Sequence, residues 1–369
     1  MRAIAHLAVV AALTSAACKR YDDDPEPGPP PGNPGVDPRL VIAVDKRVEL
    51  VSIVSRLAGY PEYSEPASTP YARAVDQHFA AWKEHPAVVA ARGHRAEHGI
   101  GFNAPASLAV YLDDHFVPRR PLILPLPGLD ARWDNVDLDA YVAQLQDFAR
   151  QSELERFLAA QAPFTAKVEA KVRKALDGYR VVDWFESLFG PRRATFVVAP
   201  GMLTGTHAFG VFAVDDDGRE EIMQVLYLPP GRDGGLPHPD RSSVYTLVHE
   251  FAHSYVNPAL DARGDVVLPA LEPIFPRVAE AMKRQHYPTA TIVANESMVR
   301  ALVVLYARDR GAKGAEHRRL FLEVKSAFLW TADVVKALDA ARKAAPDGVV
   351  TPDALARATA EGLNAWAAR

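Results

Sequence analysis

The chain has 369 residues, of which 49% are hydrophobic and 24% charged, and its formal net charge is −4. This composition is ordinary for a globular protein, and without a basic excess no nucleic acid is expected as a partner. Beyond the N-terminus, no apolar run is expected to reach the roughly 20 residues that cross a bilayer.

The N-terminus has the layout of a bacterial export signal. Arg2 precedes a short apolar stretch, and small residues then lead to Cys18, the only cysteine. This order is typical of a cleaved signal rather than a spanning helix, and a cysteine at this point resembles the lipid acceptor of bacterial lipoproteins. Residues 1–18 are therefore predicted to be a lipoprotein-type signal peptide, with plain secretion as the alternative. We expect an exported lipoprotein that Cys18 anchors to a membrane of the cell envelope, on the periplasmic or cell-surface side.

The next segments are predicted to form a tether and a helical subdomain. Residues 19–39 are rich in proline, glycine and aspartate, which favours an extended tether that buries no core. Residues 40–190 carry apolar residues mainly at helical spacing, which predicts a helical N-terminal subdomain. Its helices are expected near 48–57, 71–84, 86–98, 104–114, 137–160 and 164–189, and the proline-rich segment 118–127 is expected to be a crossing loop.

The pattern changes near Gly190. Segments 194–199, 207–214 and 221–228 are rich in β-branched and aromatic residues and are separated by turn sequences, which favours an antiparallel meander. Helices are then predicted near 242–256, 269–285, 289–309, 316–344 and 352–367. We therefore predict an α+β protein, in which residues 191–369 form a domain with a small antiparallel or mixed sheet and a functional helix.

The helix near 242–256 contains His249-Glu250-Phe251-Ala252-His253, an HExxH motif. Histidines four residues apart project from the same face of a helix and can share one metal ion. Glu250 lies beside that face, where its carboxylate can take a proton from water. The motif predicts a zinc site with His249 and His253 as ligands and Glu250 as the catalytic base.

A zinc enzyme usually presents a third protein ligand, and three kinds of candidate (histidine, aspartate and glutamate) can be weighed against the sequence. The metzincin arrangement is excluded because Val256 and Ala259 stand where it requires glycine and histidine. An aspartate could come from Asp261, although Pro258 is expected to end the helix before it.

A glutamate from a following helix is the preferred third ligand, and Glu272, Glu280 and Glu296 are available. Glu280 lies on a more polar face and is expected to be solvated. Glu296 lies in a strongly apolar helix, where an unpaired carboxylate would be costly. Arg300 is one turn further on and is expected to orient that carboxylate. We therefore predict Glu296 as the ligand, with a simple Glu296–Arg300 pair as the alternative.

A second motif, His94-Arg95-Ala96-Glu97-His98, has the reversed order HxxEH of inverzincins. Gly93 and Gly99 flank it, so its helix is expected to be short and weak. We expect His94 and His98 to be a surface pair rather than metal ligands.

The block HEFAHSYVNP, with VDKRVELVSIVSRLAGYPEY upstream and NESMVRAL downstream, resembles an uncharacterised bacterial family, the domain of unknown function 4932 family. The resemblance covers about residues 40–310. His249, Glu250, His253 and Glu296 also resemble the site of gluzincin-type zincin metallopeptidases, and the Asn295-Glu296 pair is similar to that of thermolysin-like enzymes. These resemblances imply a zincin-like catalytic half, a helical N-terminal half and peptidase activity.

Zincin chemistry needs a donor for the developing oxyanion and an edge strand that pairs with the peptide. Tyr245, one turn before His249, is the preferred donor. The alternatives are Tyr255, His207, His286 and Tyr287. The edge strand is expected to be 207–214 or 221–228.

The sequence thus predicts a zinc metallopeptidase at the bacterial envelope, in which Glu250 activates water beside Zn²⁺ to hydrolyse peptide bonds of a peptide or protein substrate. A monomer is expected. The main alternative is a catalytically inert zincin-fold binding lipoprotein. A zinc-stabilised structural protein, or a hydrolase acting on another kind of bond, would carry the same motif.

Overall fold

A computed structural model describes residues 35–64, 69–205, 207–228, 235–236, 239, 242–285, 287–311 and 314–369. The predicted signal peptide with Cys18, most of the predicted tether and His286 lie outside the described residues. Within them the chain forms fifteen α-helices and a four-stranded sheet, which confirms the predicted α+β class. Contacts group these residues into two compact units, 35–186 with 190–254 and Ser187–Phe189 with Tyr255–Arg369. The domain boundary predicted near residue 190 stays a prediction.

The sheet is mixed, and its strands are β1 (Leu40–Ile42), β2 (Ala194–Pro200), β3 (Phe209–Val214) and β4 (Glu220–Leu226). Their order is β1-β2-β4-β3, with β2 parallel to both β1 and β4 and β3 antiparallel to β4. The predicted antiparallel meander is therefore wrong, because β4 lies between β2 and β3. Of the two candidate edge strands, β3 lies at the edge and β4 is internal. β1 was not predicted, because three residues carry too little alternation to be recognised.

Eight helices lie wholly or mostly in the first unit, and those at Ala104–Ala109 and Leu154–Ala175 contact this sheet. Their bounds are α1 (Lys46–Leu57), α2 (Pro61–Ser64), α3 (Pro70–His78), α4 (Pro86–His98), α5 (Ala104–Ala109), α6 (Leu138–Gln151), α7 (Leu154–Ala175) and α8 (Val181–Phe189). The Asp45 carboxylate caps α1, and Gly99 ends α4 in the left-handed conformation with φ 68°. The chain breaks at Glu153 rather than near Pro163, which lies inside α7.

Helix α9 (Ser242–Asp261) carries the HExxH motif and packs on one face of the sheet. The rings of Phe196 in β2 and Phe251 in α9 are 5.4 Å apart. The predicted end of this helix at Pro258 is wrong. Proline has no N–H for the carbonyl of Ser254, but that carbonyl accepts a hydrogen bond of 3.1 Å from Arg192 Nη1 instead. The helix can therefore continue through Pro258.

The second unit consists of the C-terminal helices. After the last turns of α9 come α10 (Gly264–Leu271), α11 (Phe275–Arg284), α12 (Ala290–Arg310), α13 (Ala315–Lys325), α14 (Thr331–Ala344) and α15 (Pro352–Ala367). Among the described helices, α12 is long and apolar enough to cross a bilayer, contrary to the expectation from sequence, but 78% of its apolar window is buried. It is packed as the core helix of its unit, between α10, α13 and α14.

Candidate metal centre

The sequence of α9 divides its side chains between core and site. Val244, Leu247, Val248, Phe251 and Ala252 are fully buried. The motif's two histidines and Glu250 are half-buried, so they retain access to solvent. The apolar stripe fixes the rotation of the helix on the sheet, and this rotation directs the polar side chains away from the core.

The two imidazoles of the motif face each other across one helical turn. His249 Nε2 and His253 Nε2 are 3.3 Å apart, and the rings are inclined by 78°. Two ligands that bind one zinc ion at about 2.0–2.1 Å in tetrahedral geometry are separated by about 3.3 Å. The observed separation therefore fits two nitrogen ligands of a single tetrahedral ion.

Glu296 of α12 completes a group that can hold a metal ion. One ligand atom from each of His249, His253 and Glu296 lies within 4.8 Å of those of the other two. Glu296 is 5% exposed, as expected for an acid in an apolar helix. Two imidazole nitrogens and one carboxylate oxygen suit zinc and leave a fourth position for water or substrate.

The carboxylate of Glu296 is held by Arg300. Arg300 Nε is 3.2 Å from Glu296 Oε2, while its Nη1 donates to Glu323 Oε2 at 2.6 Å and its Nη2 to the Tyr287 hydroxyl at 3.1 Å. The guanidinium also lies over the Phe328 ring, 4.2 Å from its centre. These contacts fix both the direction and the plane of the Arg300 guanidinium, which in turn orients the Glu296 carboxylate.

Electrostatics reinforce this arrangement. Burial alone would lower the pKa of Arg300, but Glu323 and Glu296 raise it above its usual value. Burial raises the pKa of Glu323, and Arg300 offsets part of that change. Glu323 was missed in the sequence because it lies among basic residues of α13, without a pattern that distinguishes it.

The other candidate third ligands lie elsewhere. Asp261 Oδ1 accepts a hydrogen bond of 3.0 Å from Asn295 Nδ2. Because Asn295 directly precedes Glu296, this bond holds the first turns of α12 in place beside the candidate ligand Glu296. Glu272 and Glu280 are exposed, as was expected for Glu280.

Glu250 lies against the edge strand. A Cβ built on Gly210 would be 2.7 Å from the Glu250 carbonyl oxygen and 2.9 Å from Glu250 Oε2. Only glycine allows β3 to approach the helix so closely. Gly210 was missed in the sequence, where a glycine inside a strand pattern is the only signal.

Gln224 of β4 is directly opposite Gly210, so its side chain projects from the same face of the sheet. It is fully buried, and among the described residues neither its amide nitrogen nor its amide oxygen has a hydrogen-bond partner. Burying an amide without hydrogen bonds costs stability. Gln224 was missed in the sequence because nothing in its apolar strand distinguishes it.

The HxxEH motif is not part of a metal cluster among the described residues. Its helix, α4, has the predicted bounds Pro86–His98 and runs through Gly93. His94 packs edge-on against the Tyr141 ring at 4.9 Å, and burial lowers its pKa. Glu97 is exposed. The motif lies on a packed helix with His94 in a core contact.

The candidate oxyanion donors are placed differently. Tyr245, the preferred donor, is 2% exposed. Tyr255 stacks on Phe189, with ring centres 4.8 Å apart, and His207 stacks on Phe209. Tyr287 binds Arg300 and is thereby linked to the Glu296 carboxylate. The role of Tyr245 stays a prediction.

Comparison with known proteins gives one finding. The sequence model of a family described as "Domain of unknown function (DUF4932)" matches residues 130–345, which is more than half of the chain. No curated protein and no solved structure matches.

Proposed function

The chain belongs to the DUF4932 family, whose function is unknown, and from that premise we propose that it is a zinc-dependent metallopeptidase of the gluzincin type. The observation that carries the proposal is the convergence of His249, His253 and Glu296, with ligand atoms within 4.8 Å of one another, next to Glu250. If the HExxH motif had arisen by chance, a buried acid from another helix would not be expected beside its two histidines.

The residues of the chain divide the chemistry as follows. His249, His253 and Glu296 would hold Zn²⁺, which when bound lowers the pKa of water and polarises a carbonyl group. Glu250 accepts the proton of the attacking water and transfers it to the leaving amine. Contact with Gly210 limits the positions that the Glu250 side chain can take. Tyr245 is proposed to donate a hydrogen bond to the carbonyl oxygen as it gains negative charge.

Strand β3 is proposed to bind the peptide substrate. It is one of the two edge strands of the described sheet, and it contacts Glu250 through Gly210. An extended peptide can add to such an edge through main-chain hydrogen bonds, which brings its backbone beside the base.

The proposal is tested by metal analysis and by cleavage of a mixed peptide library with the purified full chain. We expect about one zinc ion per chain and peptide turnover that a chelator abolishes. Glu250→Gln should retain zinc and lose turnover, whereas His253→Ala should lose both. Glu97→Gln, in the HxxEH motif, is the matched control and should keep both.

Two results would contradict the proposal. Absence of bound zinc in the wild-type protein would refute the metal site. Zinc binding without cleavage of any peptide in the library would instead favour the inert binding lipoprotein.

We also propose that Cys18 anchors the protein in the cell envelope as a monomer. The anchor is supported by the order of basic, apolar and small residues before this single cysteine. Cys18→Ala should release the protein from the membrane fraction of the producing cells and abolish incorporation of labelled fatty acid. Unchanged membrane association in this variant would refute the anchor.

A further inference from the structure

The outer edge of β3 is defined by its pairing with β4. Asp215, one residue beyond β3, donates its N–H to Arg219 C=O at 2.9 Å. In an antiparallel pair every second residue forms such bonds with the neighbouring strand. The odd-numbered residues of β3 therefore bond to β4. The N–H and C=O groups of Gly210, Phe212 and Val214 therefore point away from the sheet. These are the groups with which an added peptide strand would pair.

Two of these three positions are covered by the chain itself. Arg120 Nη1 donates to Val214 C=O at 3.0 Å. The backbone of Gly128 lies so close to Phe212 that a Cβ built on Gly128 would be 2.2 Å from the Phe212 carbonyl oxygen. Both contacts come from segment 118–128, which we call the proline-rich loop. Among the described residues, no hydrogen bond closes the outer edge at Gly210, the position beside Glu250.

The proline-rich loop is fixed to the rest of the first unit. The Tyr111 hydroxyl donates to Pro127 C=O, and both terminal nitrogens of Arg119 bind Glu221 Oε2, at 2.6 and 2.7 Å. Two residues beyond the loop, Asp130 N–H donates to Ser107 Oγ at 3.1 Å. Its prolines restrict the backbone further. A substrate strand would have to displace an anchored loop to pair beyond Gly210.

The direction of the substrate follows from strand geometry. Antiparallel pairing is the more stable arrangement, so a bound peptide should run opposite to β3. Its N-terminal residues then extend from Gly210 towards Phe212 and Val214, where the proline-rich loop lies. Two strand residues span roughly 7 Å, which is the length of free edge before the loop.

We propose that the proline-rich loop makes this protein an exopeptidase that acts at the N-terminus of its substrates, with at most about two residues before the scissile bond. The inference rests on the proposed peptidase function and narrows its substrate class. On the C-terminal side of the scissile bond the loop imposes no limit on length.

The test uses two series of peptide hydroxamates and measures binding to the zinc-loaded full chain by calorimetry. In the first series the hydroxamate follows the peptide, so the residues occupy the N-terminal side. In the second series it precedes the peptide, so they occupy the C-terminal side. We expect affinity in the first series to fall at least about tenfold once the peptide exceeds about two residues, and no such fall in the second.

Variants of the loop connect this limit to its cause. Replacement of residues 121–128 by a short glycine linker, which removes the contact of Gly128 with Phe212, should improve the binding of the long peptides of the first series. Arg120→Ala alone frees Val214 C=O but leaves Phe212 covered, so it should not improve that binding. Arg156→Ala, an exposed arginine paired within α7, is the control and should change nothing. Thermal melting checks that the variants are folded.

The outcomes are distinguishable. Long peptides of the first series that bind wild type as tightly as short ones overturn the exopeptidase inference alone. A restriction that survives replacement of residues 121–128 also overturns it. If neither series binds the zinc-loaded chain, the proposed peptidase site is refuted and the inference falls with it.

Discussion

At the scale of single residues, Arg300 determines how the Glu296 carboxylate is presented. Its guanidinium binds Glu296, Glu323 and Tyr287 at once, and it stacks on an aromatic ring. A lysine keeps the charge but cannot make several directed bonds from one planar group. The position should therefore be sensitive even to a conservative change.

We expect Arg300→Lys to weaken zinc binding by about 10- to 100-fold, the usual effect of losing a partner that orients a ligand. Competition with a chelator of known affinity measures the change. Arg308→Lys, on the same helix but bound to Asp339, is the matched control and should keep wild-type affinity. Equal zinc affinity in wild type and Arg300→Lys would show that Glu296 needs no such support.

Glu49 of α1 is a buried acid in the first unit. Its Oε2 accepts a hydrogen bond of 2.5 Å from the Tyr71 hydroxyl. Burial raises the pKa of Glu49 to about 8, although the bond from Tyr71 lowers it in part. The folded protein therefore holds this proton up to about pH 8, whereas the unfolded chain releases it near the usual pKa of 4.5.

The free energy of unfolding should consequently fall as pH rises from about 4.5 to 8, because the unfolded state loses this proton first. Glu49→Gln cannot titrate, so it should be more stable than wild type at pH 8 and above, and this advantage should vanish below pH 4.5. Urea unfolding across this range measures it. Glu84→Gln, with an exposed side chain, should follow wild type. A constant difference at every pH would rule out the titration of Glu49 as the cause.

At the scale of elements, the contact between β3 and α9 decides where Glu250 lies. A methyl group at position 210 would meet the Glu250 backbone and carboxylate at 2.7 and 2.9 Å. These distances are too short for real carbon contacts, so the strand or the helix would have to move.

Gly210→Ala should lower kcat for peptide cleavage by at least about tenfold, because small displacements of a catalytic group have large effects on rate. Steady-state kinetics measure the change. Gly93→Ala is the control, since a Cβ there meets nothing within 4 Å and alanine favours the helix. Zinc content should stay the same in both variants. Wild-type kcat in Gly210→Ala would mean that the close approach has no role in placing Glu250.

The sequence was informative about elements in proportion to their periodicity. The ends of α4 and α15 and the course of α12 were predicted to within about two residues, because apolar spacing, caps and prolines agree there. The helix predicted at 316–344 is broken at Phe328 and Leu329, where the preceding Ala327 has a φ of 64°. The helix ends there in a local cap, in which Ala327 N–H and Phe328 N–H donate to Val324 C=O and Glu323 C=O, both at 3.0 Å. An alanine gives no warning of this left-handed turn, because glycine is the residue expected there.

The site was predictable only where its residues are local in sequence. His249 and His253 are four positions apart, so helix geometry alone brings their side chains together. Glu296 could be ranked by the cost of burying an acid, but Glu323 and Gln224 depend on contacts that no local pattern encodes. The edge position of β3 likewise required the strand order.

At the scale of the whole molecule, metal binding should be coupled to folding. The proposed ligands are His249, His253 and Glu296, and the unfolded chain cannot bring them together. A ligand at 100 times its dissociation constant stabilises the folded state by about 2.7 kcal/mol.

We therefore expect a chelator to lower the Tm of wild type by several degrees, and added zinc to restore it. Differential scanning calorimetry measures the shift. The double variant His249→Ala, His253→Ala should have a Tm that neither treatment changes. A wild-type Tm that is insensitive to zinc would show that the three side chains do not bind it.

The parallel pairing of β1 with β2 has a consequence for how the polypeptide matures. During synthesis β1 leaves the ribosome first, yet its partner follows only after all eight helices of the N-terminal region. Contacts so distant along the chain close slowly. The sheet of the nascent chain would thus stay unassembled until β2 has been made. Fragments that end before residue 194 should be sensitive to protease, because β1 then lacks its partner strand β2.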